Sequence, residues 1–275
     1  MAARLIHAPA KRPALTGPVL TLSIAAMKWI SRLTRCAAAA FFAGSPMTFA
    51  ATPVDFYFPE APPLTMANQG DEHGIVGDIA LKAMATAGYS PNFASPPWPR
   101  AQRDVANGKD MLIAPLSRTQ SREDNFTWIA PLLTMDRTFF SLDQRVESFD
   151  EARKAFKLIA VGIGTAQETR LREEGFPASQ IYPLKIGENP AQMLLKGRVD
   201  AWFNGVPETR YIWKQISDRP LVMSRVLMTA DLYLACSKDC DAHMVDRLRT
   251  AIDTLQANGS ADKIEARYLK GLPVW

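Results

Sequence analysis

Short apolar runs alternate along the chain with stretches of helical periodicity, and the alternation predicts an α/β fold with sheets covered by helices. Residues 54–58 (VDFYF) read as a first strand, closed by the Pro-rich turn at 59–64. A helix follows to Ala87, with Asp78 as its expected N-cap and Gly88 as its stop. After a second strand-like stretch, Pro99 suits the first turn of a helix that runs to Asn107, with Gly108 as the C′ residue. Residues 110–114 (DMLIA) are nearly all apolar, the pattern of a strand covered on both faces, and Pro115 is expected to end it. Residues 134–142 read as a longer strand, and residues 158–163 (LIAVGI) as a buried parallel one. Thr165 and Glu168 have capping-box spacing, so a helix should start there. Asn189-Pro190 opens another, ending at Gly197 before the run Ala201-Trp202-Phe203. Residues 229–236 (TADLYLAC) form a returning strand, and Asp241 caps a helix whose Val245, Leu248, Ile252 and Leu255 share one face. Gly259 ends that helix, and Ser260 begins the last, which reaches Tyr268.

Charge changes the picture at the N-terminus. The net charge of +4 invites a nucleic-acid reading, yet residues 1–51 take six of the 32 basic residues and none of the 28 acidic ones. Without them the chain is slightly acidic, and the electrostatic footprint of nucleic-acid binding is missing. Lys28, Arg32 and Arg35 before the apolar residues 36–42 (CAAAAFF), then small residues at Thr48 and Ala50, have the order of a secretory signal. Residues 1–50 are therefore expected to be a signal peptide with an N-terminal extension, cut after Ala50, and translation could begin at Met1 or Met27. The apolar run is too short for a membrane span of about 20 residues. Cys236 and Cys240 are the cysteines left after cleavage. In an exported protein they could pair, or one could stay buried and the other exposed. The sequence holds no P-loop, Gly-x-Gly-x-x-Gly, His-Glu-x-x-His or Gly-x-Ser-x-Gly, and a zinc site is improbable with so few Cys and His.

The candidate chemistry follows the strand at 110–114. Ser117, Arg118, Thr119 and Arg122 fall just beyond its carboxyl end, where open α/β sheets bind ligands. Arginine suits a carboxylate because its planar fork gives two parallel hydrogen bonds and keeps its charge. A helix ending in Gly-Lys-Asp, an apolar strand, then Ser117-x-Thr119-x-x-Arg122 resembles the extracellular solute-binding proteins of the polar-amino-acid uptake family. Further matches are Gly164-Thr165-Ala166-Gln167-Glu168, Gly197-Arg198-Val199-Asp200-Ala201 and a closing segment through Tyr268. The resemblance covers about residues 54–268. It implies a two-lobed periplasmic-binding-protein-like fold, each lobe a mixed sheet flanked by helices and the two joined by hinge strands. Residues 52–142 and 230–275 would form lobe 1, and residues 143–229 lobe 2.

Carried over residue by residue, the resemblance makes Arg122, Ser117 and Thr119 carboxylate contacts. Thr165, at a helix N-terminus that can itself hold an anion, is a candidate from the second lobe. Trp98 would pack on the ligand, and Glu60 and Arg100 are further candidates. Asp200 would brace a strand. The chain departs from the pattern at Gly205, where amino-acid binders of the family carry the Asp that meets the ligand's ammonium group; Asn204 and Glu208 lie near but off the matching position. With Arg100, Arg118 and Arg122 keeping the first lobe positive, weak binding of basic amino acids is expected.

The implied function is capture, without catalysis or cofactor, of a small carboxylate-bearing solute in the periplasm by a monomer that delivers it to an inner-membrane ABC permease. Two alternatives stand beside it. One is a dehydratase of the same fold acting on a cyclic carboxylate, with Glu60 or Glu208 as acid. The other is a sensory module for a membrane receptor.

Overall fold

The computed structural model describes residues 51–67 and 70–274. The expected signal peptide and its cleavage site lie outside the described residues. The strands follow one hydrogen-bonded path: β2 (Tyr89–Ala94), β1 (Thr52–Tyr57), β3 (Leu112–Ser117), β9 (Met228–Ser237), β4 (Phe126–Ser141), β7 (Ala201–Gly205), β5 (Ile159–Gly162) and β6 (Ile181–Leu184). A short β8 (Val222–Met223) pairs with β4 off this path. β1 is parallel to β2 and β3, and β5 is parallel to β6 and β7. Between these parallel triplets, β9 and β4 run antiparallel to each other and to their outer neighbours. Two mixed α/β lobes thus share their two longest strands.

Apolar faces fix the rest. In the first lobe, α1 (Ile75–Ala87) and α7 (Ala242–Ala257) pack Ile79, Leu248 and Ile252 on Phe56, Leu112 and Leu234. In the second, α3 (Phe149–Ala155) and α4 (Ala166–Glu173) cover an aromatic core of Phe139, Phe149, Phe156 and Phe203, with the Phe139 and Phe203 ring centroids 4.6 Å apart. On the other face of that sheet, α5 (Pro190–Leu195) and α6 (Val206–Lys214) bury Leu194, Val206 and Trp213. α2 (Trp98–Asn107) closes the first lobe beside the cleft, and α8 (Ser260–Leu269) ends the fold. No helix among the described residues is long and apolar enough to cross a membrane.

Local expectations hold at Gly88, which ends α1 in the left-handed conformation, and at Asp241, which accepts from Met244 N at 2.8 Å. Asp200, the expected brace for the start of its own strand, β7, instead holds the chain entering β5, its carboxylate accepting from Lys157 N and Leu158 N at 2.7 and 2.8 Å. Cys236 and Cys240 form a disulfide.

Three expectations are corrected. Asp78 is not an N-cap: Gly74 holds that place, and Asp78 sits inside the first turn of α1. Its carboxylate accepts from His73 N at 3.0 Å and Tyr268 Oη at 2.7 Å and pairs with Arg267, tying the last helix to the first. Gly108 ends α2 in an extended conformation, and the left-handed residue is Asp110 two positions on, at φ 54°. Pro115 does not end its strand. The β3–β9 register shifts between Ile113 and Leu116, and β3 continues through that bulge to Ser117.

Candidate functional site

The bulge in β3 sets the geometry of the cleft, because it aims Ser117 into the space between the lobes. Beyond Ser117 the chain makes a 3-10 turn, Gln120–Asn125, which folds Arg122 back under the strand end. The Arg122 guanidinium donates to Ser117 O at 3.1 Å in its own lobe and to Gly164 O at 2.8 Å in the other. Gln102 on α2 donates to the same Gly164 carbonyl at 2.9 Å. Gly164 is required there twice over. Its φ is +70°, and a Cβ would lie 2.8 Å from Pro99 Cγ across the cleft. The lobes are therefore closed on one another at this point.

Behind Ser117 stands a residue that the sequence pattern did not single out. Arg137 projects from β4 and is completely buried. It donates to Met135 O at 3.1 Å and to Ser117 Oγ at 2.8 Å. A hydroxyl that accepts from a guanidinium keeps its own proton for another acceptor, so Arg137 turns Ser117 into a donor toward the cleft. Burial pulls both guanidinium groups down to about 10, Arg122 also through its proximity to Arg137, so both stay charged at neutral pH.

Opposite them is Glu208, in the first turn of α6. A Cβ on Gly205 would lie 2.6 Å from Glu208 Oε2, so this carboxylate fills the space that a side chain at 205 would take. Glu208 makes no hydrogen bond or close ion pair among the described residues. Its remaining open surface faces two cavities. Burial pushes its carboxyl up to about 7, against the opposing pull of Arg137. The expected gap at Gly205 is thus filled from one helical turn further on, which places an acid beside the cleft's guanidinium groups.

These groups line an inner cavity of about 50 Å³, together with Trp98, Thr165 and Gln167. Thr165, Gln167 and Glu208 also border an adjoining outer chamber of about 320 Å³. Thr165 caps α4, accepting from Glu168 N at 3.3 Å and donating to Gly162 O at 2.7 Å. Glu168 accepts from Gly164 N at 2.6 Å, one residue beyond the usual capping-box partner, Thr165 N.

The structure brings together Arg122, Ser117, Thr165 and Trp98 around the inner cavity, and Glu60 at the outer one. Glu60 accepts from Ala67 N at 2.8 Å. Thr119 and Arg100 are outside both linings. Thr119 Oγ1 meets Ser121 Oγ at 3.2 Å, and Arg100 is exposed and pairs with Asp104 at 3.3 Å. Arg118 is also outside, held by Glu123 and lying over the Trp128 and Tyr233 rings. The positive charge of the cleft comes from Arg122 and Arg137 instead.

The family description that matches the chain is bacterial extracellular solute-binding proteins, family 3, over residues 57–271. A search of curated protein sequences finds no match. Among solved structures, a mutant of the arginine-binding protein ArgBP from T. maritima is similar at 17% identity with a TM-score of 0.69, covering 79% of this chain and 95% of that one. The GluR0 ligand-binding core from Nostoc punctiforme, in complex with L-glutamate, has 17% identity, a TM-score of 0.69 and coverage of 78% and 99%. The ancestral amino acid-binding protein AncCDT-1, a precursor of cyclohexadienyl dehydratase, has 19% identity, a TM-score of 0.63 and coverage of 79% and 95%. At these identities the structures speak for the fold, and the family match spans both lobes and every residue of the closed cleft. The chain belongs to the bacterial extracellular solute-binding proteins of family 3.

Proposed function

We propose that the protein captures a small amino-acid-like solute, bearing both a carboxylate and an amine, in the periplasm and delivers it to an inner-membrane ABC permease. One observation carries this reading: the closed cleft brings the half-buried Arg122 guanidinium, which has no acid within ion-pair distance among the described residues, to the same cavity as the half-buried Glu208 carboxylate, which faces the buried Arg137. Two guanidinium groups against one carboxylate leave an excess of positive charge, which is costly in a desolvated cleft. A zwitterion offsets that excess with its carboxylate. Its carboxylate would take hydrogen bonds from Arg122, from the Ser117 hydroxyl and from the N-terminus of α4 beside Thr165. Its ammonium group would face Glu208, and Trp98 would cover its apolar side. Similar structures, among them arginine-binding proteins and a glutamate complex, agree with this class of ligand.

In this reading lobe 1 is residues 52–142 with 230–275, and lobe 2 is residues 143–229. Arg122 and Gln102 latch the closed state through Gly164 O. Thr119 and Arg100, held at the edge of the cleft, would contribute only if the lobes moved. The disulfide between Cys236 and Cys240 fits an oxidising compartment, as does a signal peptide in residues 1–50. N-terminal sequencing of the exported protein should find a mature chain starting close to Ala51; a start at Met1 or Met27 would contradict export by this signal.

The small molecule released when the periplasmic protein is denatured tests the ligand class. Mass spectrometry should find an amine that carries a carboxylate, and a ligand lacking a carboxylate would overturn the reading. A second reading, dehydration of a cyclic carboxylate, is favoured by one observation: Glu208, neutral in part near pH 7, could act as an acid. The likeness to a dehydratase precursor keeps it in view. Turnover of a prephenate-like compound by the purified protein would establish it in place of simple capture.

A further inference from the structure

The outer chamber differs in chemistry from the inner cavity. At about 320 Å³ it lies in the range of sites for drug-sized ligands. The inner cavity, about 50 Å³, has room for little more than the charged head of a small molecule. An amino acid with a short side chain would leave the outer chamber to water.

The walls of this chamber say what else could enter. Val161, Leu184, Trp202 and Ile212 give it apolar sides. Of the four side-chain amides in the lining, Asn189 and Gln215 are exposed, and the other two stand among these apolar walls. Gln167 is only 7% exposed, and its side chain has no hydrogen-bond partner among the described residues. Asn204 donates to Thr209 Oγ1 at 3.3 Å, which leaves its side-chain oxygen unpaired among the described residues. Apart from Glu208 at the threshold, the charged groups of the lining are Lys185 and Glu188, which are exposed, and the half-buried Glu60, which is already held by Ala67 N. A charged group placed midway along the chamber would be desolvated without a partner. A plain alkyl chain would leave buried amide groups unmet, which is also costly. A neutral amide answers both conditions, because it offers a donor and an acceptor at once and lies flat against an indole.

We propose that the solute is an amide-extended amino acid, of about the size of a γ-glutamyl amide or a dipeptide, whose neutral amide sits among Gln167, Asn204 and Trp202. This rests on the amino-acid reading of the cleft and names the solute class for the same site.

Calorimetric titration of the mature protein with L-alanine and with γ-L-glutamylethylamide tests it. The two probes share the charged head and differ in the extension. The amide should bind at least about tenfold more tightly, since a filled pocket discriminates by about that factor or more. Ile212→Trp, which fills the chamber, should abolish this difference. Asn204→Leu, which adds no comparable bulk, should weaken the amide more than L-alanine. Equal affinity of the two probes in the wild type would overturn the proposal while leaving amino-acid capture intact. So would an advantage for the amide that survives in both variants. Binding of L-alanine alone would likewise overturn the proposal and leave amino-acid capture intact, whereas failure of both probes to bind would overturn the amino-acid reading and this inference with it.

Discussion

Replacing Arg122 with alanine should weaken solute binding by about 2–5 kcal/mol or more, because the ligand's carboxylate would be buried without its partner. Two separate losses contribute. One is the guanidinium beside the Ser117 hydroxyl; the other is the hydrogen bond from Arg122 to Gly164 O, which joins the lobes at 2.8 Å. Folding should change little, since Arg122 lies on a 3-10 turn at the rim of the cleft and not in any of the apolar cores. Titration and thermal unfolding of the same variant separate these effects. Unchanged affinity in a folded Arg122→Ala protein would return this arginine to a purely structural role.

The second large effect concerns Glu208. Its carboxyl is raised from the ordinary 4.5 to about 7 by burial. Between those values the folded protein holds more protons than the unfolded chain. Stability of the ligand-free protein should therefore fall as pH rises from about 4.5 to about 7, and level off above. Glu208→Gln removes this dependence. At pH 8 the variant should be more stable than the wild type by up to about 3 kcal/mol, from the size of the shift, and should melt several degrees higher. The same substitution should abolish discrimination in favour of an amine, since the buried counter-charge is gone. Denaturant unfolding at pH 5 and pH 8 reads the first effect. Identical pH dependence in wild type and Glu208→Gln would mean that Glu208 is solvated and not the buried charge described here.

The same side chains show how far the sequence could be read. Arg122 was legible because its strand, its hydroxyl-bearing loop and its spacing form one local pattern. Trp98 and Arg100 could have been separated by helical geometry alone: Trp98, Ala101 and Val105 share the buried face of α2, and Arg100 lies on another side. Thr119 lies outside the cavity lining because of the 3-10 turn after it, which the sequence pattern did not foretell. Glu208 was visible only as a nearby acid, since an acid at the third position of a helix is ordinarily explained by the helix dipole. Its entry into the cleft depends on the empty space at Gly205, a tertiary fact. Arg137 left little signal, because it sits between Asp136 and Thr138 like an ordinary surface cation, and only a long-range contact with Ser117 gives it meaning. The fold was more legible than the site because the apolar pattern is repeated along every element. A bulge such as that at Pro115 rests on pairing with β9, more than 100 residues away.

Thermal unfolding of the mature protein, freed of bound solute by unfolding and refolding, tests carboxylate capture by Arg122 most directly. It should be followed with a panel of free amino acids and amide-extended amino acids, each beside the same compound with its α-carboxylate blocked as an amide. A ligand that binds the folded state must raise its stability in proportion to affinity and concentration. At least one free compound should raise the melting temperature, its blocked form should not, and the rise should disappear in Arg122→Ala. An equal rise with the carboxylate blocked, or one that persists in Arg122→Ala, would contradict a carboxylate held by this arginine.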